Sequence, residues 1–195
     1  MPAGGLVVTV RGVQVRGMLL NGVRRHAATR WGEDALLGAV AVHSPGVAKA
    51  LRGVVDGAWY PVGWLGWLDR AIVDTSGMSD AVREFARETS EVAFRRFAGG
   101  ASIAPSLLRP REVLDRSAGL LVETFTGIGS RAVDDGEGVQ HRRFDADEPL
   151  PALVWDHFRG GLAGVVEATG VGSVRVEDVI GGGDEPFLEV RVSWR

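Results

Sequence analysis

The sequence predicts an α+β fold with a helical N-terminal half and, at the C terminus, an antiparallel sheet with a packed helix. Three observations support this. Residues 1–126 contain successive segments with the apolar spacing of amphipathic helices. Residues 128–144 read as two strands around the acidic glycine turn DDGEG, a pattern typical of a β-hairpin. A glycine-rich helical segment at 153–168 precedes two further β-rich segments, at 174–180 and 187–194.

The length of 195 residues fits one domain. The character of the sequence changes near Gly127. We therefore expect a single domain with a mainly helical part at 1–126 and a sheet-plus-helix part at 127–195.

The helical half opens with a short strand and is then divided by glycine and proline. Residues 6–15 are β-branched and apolar, which predicts a strand. Helices are predicted from Gly17 to Gly32 and over residues 34–42. A third begins at Ser44-Pro45, because proline suits the first helical position.

Three more helices complete this half. Pro61 precedes a segment with its apolar residues in helical register. Ser79 caps the helix with the clearest division into apolar and charged faces, and Gly99-Gly100 is expected to end it. The last helix is predicted over residues 107–125.

The composition excludes several classes of function. Hydrophobic residues make up 45% of the chain and charged residues 24%, as in ordinary globular proteins. A net charge of −3 offers no basic surface for nucleic acid or anionic membranes. No apolar run approaches the roughly 20 residues of a membrane span. The chain has no cysteine, which excludes disulfides, thiolate metal sites and cysteine acylation. We expect a cytoplasmic protein with neither nucleic-acid nor membrane partners.

No arrangement of reactive side chains matches a catalytic or metal-binding motif. The histidines lack the i, i+4 spacing of zinc sites, and there is no GxSxG elbow. The glycine clusters match neither the P-loop nor the dinucleotide fingerprint. We therefore expect no enzymatic activity and no metal site. The four histidines are His26, His43, His141 and His157.

Acidic residues cluster in the two predicted hairpin turns. A calcium loop needs about a dozen residues with ligands at alternating positions, and both turns are too short for one. The residues are Asp134, Asp135 and Glu137 in the first turn, and Asp184 and Glu185 in the second.

Aromatic side chains concentrate in one short segment. Trp64 and Trp67 are three residues apart on a predicted helix and share a face. Trp59 and Tyr60 precede Pro61 and are expected in the turn before that helix. Trp and Tyr combine large apolar area with a polar tip, which suits ligand pockets and interfaces. These four residues are our candidates for a pocket wall or partner surface, with a buried core or lid as the alternative.

Three glycines occur within five positions of the C-terminal helix, at Gly160, Gly161 and Gly164. Glycine costs a helix about 1 kcal/mol relative to alanine. Such a cost, repeated, indicates close packing of the helix backbone on a neighbour, such as the sheet.

The order of elements and two segments, VRGMLLNGVRRHAATRWGEDAL and WDHFRGGLAGVVEATG, carry a family resemblance. The chain resembles the superfamily of haem-NO-binding sensor domains, 4-vinyl-reductase-type domains and TRAPP vesicle-tethering subunits. Within it, the chain looks most like a myxobacterial family of similar length and unknown function. The resemblance implies a sensory or regulatory module that binds a small apolar ligand or a protein partner. It also implies a homodimer.

The residues behind the known chemistry of that superfamily are missing. Its haem-binding branch has an iron-ligating histidine on the helix before the sheet, and residues 110–125 contain none. Its Tyr-x-Ser-x-Arg motif is absent, since Tyr60 is the sole tyrosine. The cysteines of the other branches are absent too. We therefore predict no cofactor, and the missing residues argue against haem. A ligand-free scaffold, and a haem or gas sensor with another ligand such as His26 or His141, are the alternatives.

Overall fold

The structure, a computed structural model, describes residues 12–100 and 108–195. Helices fill most of the first described range, and the second contains two helices and five strands. The helices are α1 (Gly17–Trp31), α2 (Glu33–His43), α3 (Pro45–Leu51), α4 (Gly63–Ser76), α5 (Ala81–Gly100), α6 (Pro110–Glu123) and α7 (Ala152–Glu167). The strands are β1 (Gln14–Arg16), β2 (Trp59–Pro61), β3 (Phe125–Thr126), β4 (Ile128–Gly136), β5 (Val139–Ala146), β6 (Val174–Gly181) and β7 (Phe187–Trp194).

The predicted fold class is confirmed. The C-terminal part contains an antiparallel sheet in the order β4-β5-β7-β6, built from two hairpins that join through β5 and β7. Helix α7 connects the hairpins and packs chiefly on α5, with further contacts to α4, α6, β6 and β7. The core is continuous across both parts, from Leu36 and Leu65 among the helices to Phe144 and Val190 in the sheet.

A second, three-stranded sheet has the order β2-β1-β3 and was not predicted. Its central strand places Val15 opposite Tyr60 on one side and opposite Phe125 on the other. Trp59 and Tyr60 therefore belong to a strand and not to a turn, which corrects our expectation. The small sheet joins the start of α1 to the end of α6.

Some predicted boundaries differ from the observed ones. The expected strand at 6–15 lies mostly outside the described residues. The helix expected over residues 107–125 begins at Pro110 and ends at Glu123, because Phe125 pairs in β3. Helix α5 includes Gly99 and Gly100.

The first hairpin turn is also shorter than expected. It consists of Glu137 and Gly138, with Gly138 at a φ of 67°, so Asp134 and Asp135 lie in β4.

Candidate functional site

A cavity of about 760 Å³ lies between the β1–α1 junction and helices α5, α6 and α7. Its volume falls within the roughly 300–1,000 Å³ of pockets that enclose small organic ligands. Leu19, Phe94, Leu121 and Val165 contribute to its largely apolar wall. The space is far larger than a diatomic gas requires and suits a large, mainly apolar molecule.

The inner wall of the cavity includes Phe125 and Phe158, which belong to a buried aromatic cluster. Phe158 of α7 is fully buried, and its ring centroid lies 5.2–5.3 Å from those of Phe125, Phe144 and Trp155. Tilted and edge-to-face contacts with these three rings hold Phe158 in place. This wall is therefore expected to keep its shape whether or not a ligand is bound.

The outer rim of the cavity combines apolar and charged side chains. Met18 of α1 is 54% exposed and Leu120 of α6 is 53% exposed, and both line the cavity. Arg16 lies at the same rim, with its guanidinium carbon 4.6 Å from the centroid of the Trp59 ring. No carboxylate of the described residues pairs with Arg16, so its charge is available to an acidic group of a ligand.

One histidine lines the cavity, and a buried aspartate is hydrogen-bonded to it. His157 of α7 is 7% exposed, and its Nδ1 lies 3.1 Å from Oδ1 of Asp69 on α4. Asp69 is completely buried, and its Oδ2 has no hydrogen-bond partner among the described residues. The Nε2 atom of His157 likewise makes no hydrogen bond within the described part of the chain.

Burial raises the pKa of Asp69, because desolvation disfavours the carboxylate. The nearby imidazole of His157 opposes this rise by Coulomb attraction and by its hydrogen bond, and Asp156 adds a smaller repulsion. An acidic group with this much desolvation is costly in a plain apolar core. Perturbed titratable groups of this kind are enriched at functional sites.

No sequence motif indicates the pair of His157 and Asp69. His157 stands beside Asp156 and Arg159, neighbours that are typical of a surface position, whereas its hydrogen-bond partner Asp69 lies 88 positions away. One signal was present. Asp69 falls within the helical register of the apolar residues Leu65, Leu68 and Ile72, which predicts a buried acid that needs a partner.

The other histidines lie elsewhere. His26 contacts the ring of Phe85 edge-on at 5.3 Å, and His141 lies on β5 opposite Arg191 of β7. His43 stacks on Trp67 with centroids 5.5 Å apart, and its Nε2 is 2.8 Å from Oδ2 of Asp74. None of these three lines the cavity.

The four aromatic candidates are half-buried and outside the cavity lining. The rings of Tyr60 and Trp64 are 5.0 Å apart, and the hydroxyl of Tyr60 accepts a hydrogen bond from the backbone N–H of Val55. The ring of Trp67 stacks on that of His43, and the guanidinium of Arg16 lies over the ring of Trp59. A role for these residues as a partner surface stays a prediction.

Two of the three helix glycines face α5 instead of the sheet. A Cβ atom at Gly160 would overlap the carbonyl oxygen of Arg83, and one at Gly164 would overlap that of Arg87. We call this contact of Gly160 and Gly164 with the carbonyls of Arg83 and Arg87 the glycine seam. Gly161 points elsewhere: it lines the cavity, and a Cβ there would lie 3.4 Å from Oγ of Ser90, an ordinary contact.

Within residues 12–100 and 108–195, no group of three or more His, Asp or Glu side chains is arranged to hold a metal ion. A helix long and apolar enough to cross a membrane was also not found in these ranges.

Comparison with known structures identifies the fold. The H-NOX (haem-NO-binding) protein from K. algicida, described as Fe(II) unliganded, aligns with a TM-score of 0.66 and 11% identity over 92% of this chain and 96% of that chain. An oxygen-binding H-NOX domain related to soluble guanylate cyclases aligns with a TM-score of 0.61 and 14% identity, covering 92% and 95%. A structure from work on haem distortion in the H-NOX family gives 0.62 and 15%, covering 92% and 95%. Neither a family model nor a curated protein matches the sequence.

These structural neighbours overturn our prediction of no cofactor. That prediction relied on the missing histidine of residues 110–125 and the missing Tyr-x-Ser-x-Arg motif, and it treated them as a test of haem binding in general. The neighbours that share this fold are haem-binding domains. The missing residues exclude an iron ligand at one position and one motif that holds the haem propionates. The cavity is lined by another histidine, His157, and by an arginine, Arg16.

Proposed function

We propose that this protein is a sensory domain that binds haem in the cavity between α1, α5, α6 and α7. The observation that carries the proposal is the cavity itself. It has apolar walls, a buried imidazole on one side and, at its rim, a guanidinium that pairs with no carboxylate of the described residues. The proposal favours the sensor hypothesis over the ligand-free scaffold, for which such a cavity would have no use.

The donor groups fit haem chemically. The apolar wall suits a macrocycle, Arg16 suits a carboxylate substituent, and His157 offers a nitrogen to a metal. Haem, when bound, supplies an iron that can take up a diatomic gas. The chain's own side chains then orient the group and exclude water from it.

The position of α6 supports a signalling role. Four residues of this helix, Ser117, Leu120, Leu121 and Glu123, line the cavity. On the same helix Asp115 forms an ion pair with Arg142 of β5, whose guanidinium is almost fully buried. A ligand that moves α6 would therefore change the strength of this ion pair with the sheet. Binding would in this way shift the equilibrium between two arrangements of the helical part and the sheet.

We further propose that the domain is not itself an enzyme and acts through a protein partner, as a homodimer in the cytoplasm. Absence of cysteine from the sequence suits a reducing compartment. Sedimentation of the purified protein tests the dimer directly.

The first experiment is a haemin titration of the purified 195-residue chain, followed by absorption and native mass spectrometry. The expected result is a saturable Soret band with one haem per chain, and a shifted band after reduction and addition of carbon monoxide. A protein that stays colourless, or that takes up haemin without saturation, would overturn the proposal.

A further inference from the structure

The proposed haem site raises the question of which residue binds the iron, since the helix that carries the ligand in the resembled family has no histidine here. We infer that His157 binds the iron through Nε2, and that Asp69 is the positioning residue that orients the imidazole. This inference rests on the proposed function.

Position selects His157. It alone among the four histidines of the chain lines the cavity. His43 lies outside it, stacked on Trp67 and paired with Asp74 through Nε2. His26 and His141, the two candidates suggested by the sequence, also lie outside it.

The hydrogen bonding of His157 leaves the correct atom for a metal. Nδ1 is held by Oδ1 of Asp69, so Nε2 is the nitrogen that remains, and no described residue binds it. Metal-binding histidines generally donate their second ring N–H to a carboxylate, carbonyl or water, which fixes the tautomer and makes the metal-binding nitrogen more basic. The pair of His157 and Asp69 has this arrangement before any metal is present.

The location of Asp69 strengthens the argument. Its side chain is completely buried on α4, and Oδ2 has no partner within the described residues. A carboxylate in this position lowers stability unless it is compensated, and among the described residues His157 is the group that hydrogen-bonds to it. Packing alone gives no reason to place an acid there, whereas support of a metal-binding imidazole does.

The main test replaces the other three histidines and leaves the cavity untouched. The triple variant His26→Gln, His43→Gln and His141→Gln retains His157 as its single histidine. We expect it to bind haemin as tightly as the wild type and to keep the iron–imidazole stretching band in the resonance Raman spectrum of the ferrous form. Loss of that band in the triple variant would overturn the inference.

A second set of variants tests the pair directly. His157→Gly should lose the iron–imidazole band and bind haemin at least about tenfold more weakly, and added imidazole should restore the band. Asp69→Asn should keep the band but shift it to lower frequency, because the imidazole loses its charged partner. His43→Gly is the matched control, since it removes an imidazole that is paired with a carboxylate outside the cavity.

The outcomes separate the two proposals. If the wild type binds haem and His157→Gly keeps the unaltered band, the assignment of His157 is wrong while the haem-binding function stands. If the wild type binds no haem, the function itself fails and the assignment fails with it. A circular dichroism melt of each variant ensures that spectral losses are measured on folded protein.

Discussion

Helix α7 meets its neighbours in two contrasting ways. Along the glycine seam it approaches α5 so closely that a single methyl group would overlap the carbonyls of Arg83 and Arg87. On another face, His157, Phe158 and Gly161 border a cavity of about 760 Å³. The comparison shows that neighbouring glycines of one helix do different work. Gly160 and Gly164 close a contact, whereas Gly161 leaves a space open.

The glycine seam should be the less tolerant region, and Gly164→Val tests this most strongly. Its side chain would overlap the backbone of Arg87, and overpacking of this kind costs about 3 kcal/mol. We expect the free energy of unfolding, measured in urea, to fall by that amount. Gly161→Val is the matched control on the same helix and should change it by at most about 1 kcal/mol. Equal losses in the two variants would remove the distinction between seam and cavity.

The cavity should tolerate a larger side chain at the expense of binding. Ser117→Leu adds an apolar side chain to the α6 wall, and we expect it to weaken haemin binding by at least about tenfold, or about 1.4 kcal/mol. Stability should not fall, because the side chain enters existing space. Ser173→Leu, at an exposed position outside the cavity lining, is the control and should bind haemin normally. Undiminished binding by Ser117→Leu would place the ligand elsewhere.

The buried carboxyl group of Asp69 should make the free energy of unfolding depend on pH in a defined direction. Burial raises its pKa above the usual 3.8, so the native state keeps the carboxyl proton of Asp69 at pH values where the unfolded chain has released it. The native state then binds more protons, and the free energy of unfolding falls as pH rises above 3.8. Asp69→Asn removes this dependence on pH. In urea melts over a pH series, the free energy of unfolding of the variant should rise relative to that of the wild type as pH rises. A difference between the two that stays constant with pH would contradict the raised pKa of Asp69.

The smallest effect is expected at the rim of the cavity. Leu120 is 53% exposed, and truncation of a surface side chain usually changes stability by no more than about 0.5 kcal/mol. We expect Leu120→Ala to stay within that limit in a thermal or urea melt. Leu114→Ala, on the same helix but fully buried, should cost about 2–5 kcal/mol. A large loss at Leu120 would mean that the rim is covered in solution.

The C-terminal architecture could be predicted because its signals are local. Each hairpin of the four-stranded sheet is contiguous in sequence, and α7 begins directly after Pro151 and ends shortly before Gly170. The three-stranded sheet lacks such signals. Its strands have two or three residues, and Val15 pairs with Phe125 across 110 positions, so no window of sequence contains both partners.

The candidate site was harder to predict for a related reason. Aromatic residues are concentrated at positions 59–67, yet the wall of the cavity consists largely of common apolar residues such as Leu19, Leu121 and Val165, which come from separate helices. His157 gains its significance from Asp69, which lies on another helix. Residue type and spacing identify a site when its members are close in sequence, and these are not.

The glycine seam also limits the substitutions that relatives of this chain can accumulate. From α5 it uses mainly the carbonyl oxygens of residues 83 and 87, which every amino acid supplies. Ala86 is the exception, because its Cβ would also crowd a side chain at position 160. The constraint on substitution is therefore one-sided. Positions 160 and 164 should remain glycine and position 86 small, while the identities of residues 83 and 87 are free to drift as far as the seam is concerned.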